Sequence, residues 1–138
     1  MGNIAGGFTF RGYIPDGSTK QHISVVLGVN DVLLKYCYGT SQFDKIINKN
    51  ETEFIKIPLK VMQLYFSDPK ITYIFLSARH IIDIFLITFK SRLGSEYDMV
   101  EPISREILKS ILDKIRDSNN LPERFKKDFF SFINEDTQ

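Results

Sequence analysis

Apolar and polar positions alternate early in residues 8–14, where Phe8 and Phe10 fall on one side, and this alternation predicts a short strand. Pro15-Asp16-Gly17-Ser18 follows as a turn, because proline presets φ and glycine supplies a positive one. Residues 23–27 and 32–38 are two further strands, separated by the tight reversal Val29-Asn30-Asp31. Three consecutive strands of this kind predict an antiparallel meander. Gly39-Thr40-Ser41 breaks the pattern, and Ser41 is placed to cap a helix in which Asp44 occupies the first turn and Phe43, Ile46 and Ile47 share a face. Residues 51–67 admit two readings. Either residues 53–57 form a short extended piece, or the preceding helix frays before Pro58; in both, Pro58 opens a helix carrying Val61, Met62, Tyr65 and Phe66.

Residues 71–76 and 81–89 are almost continuously apolar and rich in Ile and Phe, which predicts two buried strands covered on both faces. The polar break Ser77-Ala78-Arg79-His80 folds one back on the other, and the amphipathic tail of the chain lies across the pair. The same stretch has the length of a membrane span, but Arg79, His80 and Asp83 stand in its middle. A central Arg or Asp costs about 2.5 to 3.5 kcal/mol on insertion, so two strands explain the letters better. Asp83 faces solvent on this reading, with a paired buried carboxylate as the alternative. From Glu96 the period becomes helical: Val100, Ile103, Ile107, Ile111 and Ile115 recur at three and four, Leu108 and Leu112 widen the stripe, and Pro102 places the regular start near itself. Asn119-Asn120 ends this helix, and Pro122 starts a last one bearing Phe125, Phe129, Phe132 and Ile133. The prediction is an α+β domain over residues 8–134, an antiparallel sheet of about five strands packed against helices of which two are C-terminal. Residues 1–7 form a flexible leader and residues 135–138 a polar tail.

Composition narrows the function classes. The chain has 138 residues, 43% hydrophobic and 25% charged, with 18 Lys and Arg against 17 Asp and Glu, so it lacks the basic footprint of a nucleic-acid binder. A single cysteine, Cys37, excludes an internal disulfide framework and fits a cytoplasmic, reducing setting. Cys37 lies in an apolar run, as a buried small hydrophobe does. The Asn50-Glu51-Thr52 acceptor pattern carries no weight without a secretory signal. Gly2 is exposed after removal of Met1, as in a myristoylation start, but Gly6 stands where Ser or Thr is favoured. Membrane contact is therefore expected only through an acylated Gly2.

Candidate chemistry is sparse. His22 and His80 stand apart from any ligand spacing, and no Cys-x-x-Cys, His-Glu-x-x-His, calcium-loop, phosphate-loop or nucleophile-elbow pattern occurs. No catalytic, metal or cofactor residue is assigned, and a non-enzymatic protein is expected. The remaining signal is aromatic surplus: Phe125, Phe129 and Phe132, with Tyr36 and Tyr38, are the candidate partner interface, the alternative being that they close the core.

The order of strands 23–27 and 32–38, a helix, strands 71–76 and 81–89, and terminal helices resembles the longin and roadblock class of small α/β domains, over about residues 20–134. The extra strand at residues 8–14 and the Pro58 interruption depart from that pattern. The resemblance implies a dimerising platform for protein partners, such as a scaffold or regulator of a small GTPase in trafficking or signalling. A weaker resemblance, to BTB-class adaptors, rests on residues 53–57 followed by a helix opening at Pro58. A third reading is a small-molecule sensor with a Phe-lined pocket between sheet and helices.

Overall fold

The computed structural model describes residues 3–13, 20–41 and 53–136. The expected turn at residues 15–18, the Ser41-capped helix, the Asn50 acceptor and Gly2 lie outside them.

Within the described residues the chain is an α+β fold built on an antiparallel sheet. The strands are β1 (Thr9–Gly12), β2 (His22–Val29), β3 (Leu33–Thr40), β4 (Phe54–Ile57), β5 (Thr72–Phe75), β6 (Ile81–Phe85) and β7 (Asp98–Met99). The helices are α1 (Leu59–Met62), α2 (Leu86–Arg92), α3 (Arg105–Asp117) and α4 (Glu123–Asp136). Neighbouring strands run β4-β5-β3-β2-β1-β7, and β6 also pairs with β3.

The meander β1-β2-β3 forms as its alternation predicts. Asn30 closes the β2–β3 reversal by accepting from the backbone N–H groups of Val32 and Leu33 at 2.9 and 2.8 Å. Ile23, Val25 and Leu27 point to one face of the sheet and pack with Ile111 and Ile115 of α3 and Phe129 of α4. The register slips between Val26 and Gly28, so Leu27 and Gly28 both turn toward the helices. Glycine is needed there: a Cβ on Gly28 would stand 2.6 Å from Ile133 Cδ1 and 3.3 Å from the Phe132 ring. The opposite face carries Phe10, Val26, Leu34 and Tyr36, closed by Phe89 of α2, Tyr97 and Phe8. Phe10 is the hub of that layer, with ring centroids 5.3 Å from Tyr36, 5.1 Å from Phe89 and 4.9 Å from Tyr97. Thr9, almost fully buried, ties the first strand to the entry of α3: its hydroxyl donates to Gly7 O and accepts from Ile103 N, both at 2.8 Å.

Residues 53–57 adopt the extended alternative as β4, and Pro58 precedes the single turn α1. The helix there is shorter than the Val61-to-Phe66 stripe predicts; Leu64 N and Tyr65 N close onto Val61 O and Met62 O as turns. Two expectations are corrected and two are made more definite. The antiparallel sheet of about five strands is present and gains two short members, since β4 joins it and Asp98–Met99 pairs with β1. Residues 71–76 and 81–89 do not fold back on each other. Both run antiparallel to β3, β5 against its C-terminal end (Gly39↔Ile74, Thr40↔Tyr73) and β6 against the rest (Cys37↔Ile81 through Leu33↔Phe85). The 3-10 turn Ala78–His80 between them enters and leaves with extended residues, Ser77 and Ile81, so it displaces the strand without reversing it. The second strand ends at Phe85, since Leu86, Phe89 and Leu93 share a helical face on the Phe10 layer. Finally, α3 begins near Pro102 as expected, at Arg105, where Ser104 caps it by accepting from Ile107 N at 3.2 Å. Among the described residues no helix is long and apolar enough to cross a membrane.

Candidate functional site

Of the five aromatic side chains expected at a partner interface, three are enclosed by the fold. Tyr36, Phe129 and Phe132 are buried, and Phe125 and Tyr38 are half-buried. The reason is the close seat of α4 on β2 that Gly28 permits. It draws Phe129 into the core beside Phe125 and Phe130, and sets Phe132 under the Lys35 ammonium at 5.0 Å. Burial and the neighbouring Tyr97 hydroxyl raise the Tyr36 phenol well above its ordinary range, as suits a core tyrosine.

Cys37 and the two histidines have structural surroundings. Cys37 is fully buried, and that burial pushes its thiol up to about 12. His22 and His80, far apart in sequence, flank Tyr38 from two sides at 5.8 and 5.9 Å between ring centroids. His22 Nδ1 donates to Gly39 O at 2.7 Å. His80 is buried against Phe75, and its Nδ1 pairs with Ser77 Oγ at 2.5 Å. Burial, and then the Arg79 charge, hold its imidazole below the usual histidine range. An open groove of about 360 Å³ between the start of β4 and α3 is lined by Glu53, Ser110, Asp113, Lys114 and Asp117. Two of its carboxylates are already engaged. Glu53 accepts from Ser118 Oγ at 2.9 Å and Asn120 Nδ2 at 3.1 Å, pinning β4 to the α3–α4 turn, and Asp113 pairs with Lys109 and Arg116. No group of three His, Cys, Asp or Glu among the described residues is placed to hold a metal ion.

The feature left over is an edge. Among the described residues β6 pairs only with β3, and its other side faces outward. The direction of each backbone group follows from one bond. Leu86 N donates to Val32 O at 2.8 Å, and Leu86 and Val32 occupy the next position of the β3–β6 register. Alternation along an antiparallel ladder then turns Ile82 and Ile84 inward to β3, and aims the N–H and C=O of Ile81, Asp83 and Phe85 away from it. Around this edge the surface is apolar: Phe85 is 61% exposed, Val32 61% and Ile87 80%. Its one charge, Asp83, meets Lys35 at 2.9 Å across the strand pair. Sequence reasoning assigned residues 81–89 to a strand covered on both faces and so missed the edge. The signal available was Asp83 itself, an acid tolerated mid-strand because that side is wet.

Comparison with family models, with curated proteins and with solved structures found no match to this chain.

Proposed function

We propose that this chain is a non-enzymatic protein–protein interaction module whose contact element is the outer edge of β6. The observation that carries the reading is the coincidence of outward backbone donors and acceptors at Ile81, Asp83 and Phe85 with exposed Phe85 and Ile87. An edge strand with unused ladder groups is a template for another strand, and proteins ordinarily blunt such edges with Lys, Pro or a covering loop. Here the only charge on the strand is neutralised by Lys35, and no proline interrupts it. Large exposed side chains beside such an edge supply the pockets and anchors that side-chain recognition uses. Cys37, His80, Glu53 and Asp113 have structural partners, which favours an interaction role over a reaction.

The test is a variant that closes the edge without touching the fold. Phe85 has φ −61°, which proline adopts, and its N–H is not part of the β3 ladder, so Phe85→Pro removes one outward donor and the exposed ring. A displayed library of short extended peptides is expected to yield binders to the wild type that the Phe85→Pro protein does not hold. Binders unaffected by Phe85→Pro and by Ile87→Lys would place the contact elsewhere and overturn the reading.

A further inference from the structure

Resting on that reading of the edge, we propose that its occupant is β6 of a second copy of this chain, paired antiparallel about a two-fold axis through Ile84. Outward groups on Ile81, Asp83 and Phe85 can form ladder pairs only with outward groups of the neighbour, so three registers are open: those centred on Ile82, Asp83 or Ile84. Centring on Asp83 sets the two carboxylates directly opposite each other, an arrangement that destabilises a strand pair. Centring on Ile82 pairs Asp83 with Ile81, whose side chain is buried at 7% exposure, and runs Ile84 against His80 in the 3-10 turn Ala78–His80. Centring on Ile84 keeps the carboxylates apart and pairs Asp83 with Phe85 at the exposed end of the strand, with Ile82 running against Leu86, the first residue of α2. Asp83 of each copy then keeps its own Lys35, while Ile84 meets Ile84.

The two faces of this joint are self-complementary. On the face that carries Leu34 and Tyr36, a row Leu34-Ile84-Ile84-Leu34 crosses the axis and continues the apolar layer of each copy. On the helix face, each row runs Lys35-Asp83-Phe85-Leu33, so an aromatic ring covers each neutralised ion pair and no like charges meet across the joint. Charge argues for a second copy over a foreign charged strand: with Asp83 already paired to Lys35, the edge has no counter-charge left to offer one. A two-fold joint is also the commonest way for a chain to pair with itself.

The register is read by cysteine placement, because the chain's own Cys37 is buried. Ile84→Cys puts two sulfurs at a non-hydrogen-bonded position, where opposed Cα atoms are about 4.5 Å apart and within disulfide reach. Under mild oxidation Ile84→Cys is expected to form an intermolecular disulfide readily, and Asp83→Cys slowly. Sedimentation of the wild type is expected to show a concentration-dependent dimer. Phe85→Pro, which removes one outward donor per copy, weakens it about thirty-fold. Faster cross-linking by Asp83→Cys than by Ile84→Cys would overturn the register. A wild type that stays monomeric at high concentration and gives no Ile84→Cys disulfide would overturn the second copy; if it still held extended peptides in a Phe85-dependent way, the edge reading would stand without it, and if not, both would fall.

Discussion

Lys35 on β3 and Asp83 on β6 face each other in register, and their side chains meet at 2.9 Å while the same ammonium lies 5.0 Å from the Phe132 ring of α4. The pair thus joins a strand that is at an edge among the described residues, the strand beside it and the last helix. The two partners are unequal: the Lys35 side chain is 16% exposed and that of Asp83 51%. An ion pair with one solvated partner contributes little, about 0.2 to 1 kcal/mol, whereas the lysine stem and its ring contact are packed. Asp83→Asn is expected to cost less than about 1 kcal/mol and Lys35→Ala clearly more, with Lys35→Met in between. Urea unfolding of the three variants checks the order; equal losses for Asp83→Asn and Lys35→Ala would contradict it.

The aromatic residues of α4 are core, and the aromatic residue at the end of β6 is surface. Phe129→Ala is expected to cost about 3 to 5 kcal/mol, the range for emptying a buried phenylalanine site. Phe85→Pro is expected to leave the unfolding midpoint unchanged or slightly raised, since the native φ already suits proline and the unfolded chain loses freedom. A thermal or urea midpoint for each variant decides; a large loss in Phe85→Pro would mean that the outward N–H of Phe85 has a partner within the chain.

Cys37 has its thiol buried beside Val25 O, and burial holds it up to about 12. A thiol reagent at about pH 8, near the ordinary cysteine value, is expected to find no reactive sulfur in the native protein and one per chain in urea. Rapid labelling of the native protein would show that the sheet opens around β3.

His80 sets a pH dependence with a definite sign. Because burial, and secondarily Arg79, lower its native pKa, the native state takes up a proton less readily than the unfolded chain. Its contribution is therefore complete above the unfolded value of about 6.5 and is lost as pH falls from there through the lowered native value. Wild type and His80→Gln, compared by urea midpoint at about pH 7.5 and about pH 5, are expected to differ in slope, the wild type losing more on acidification. Parallel losses would assign the acid sensitivity to other groups, Glu53 among them. Burial opposes ionisation of that carboxyl, but hydrogen bonds from Asn120 and Ser118 outweigh it and hold the group below the ordinary range.

Local patterns made most of the architecture legible. The β1-β2-β3 meander follows from alternation and from the Asn30 reversal, and α3 and α4 from apolar residues at three and four with Pro102 and Pro122 near their starts. What the letters did not disclose is non-local. Ser77-Ala78-Arg79-His80 has the composition of a hairpin turn, yet whether such a turn reverses the chain depends on which strand its flanks find, and both found β3. The run of residues 81–89 stays apolar through Phe89, but the partner surface changes at Phe85 from a strand to the Phe10 layer, and the backbone changes with it. The burial of the aromatic residues was hidden for the same reason. Phe129 and Phe132 look surplus on one helix until Gly28 lets β2 receive them, and Phe85 looks like core until β6 is seen at an edge among the described residues.

The account rests on the outer side of β6 being open within one chain. Amide hydrogen exchange, read residue by residue along β6 at a concentration low enough to keep the protein monomeric, tests this most directly. Slow exchange at Ile82 and Ile84 with fast exchange at Asp83 and Phe85 is the predicted alternation. Equal protection at all four would mean that the chain covers its own edge, and would contradict the account.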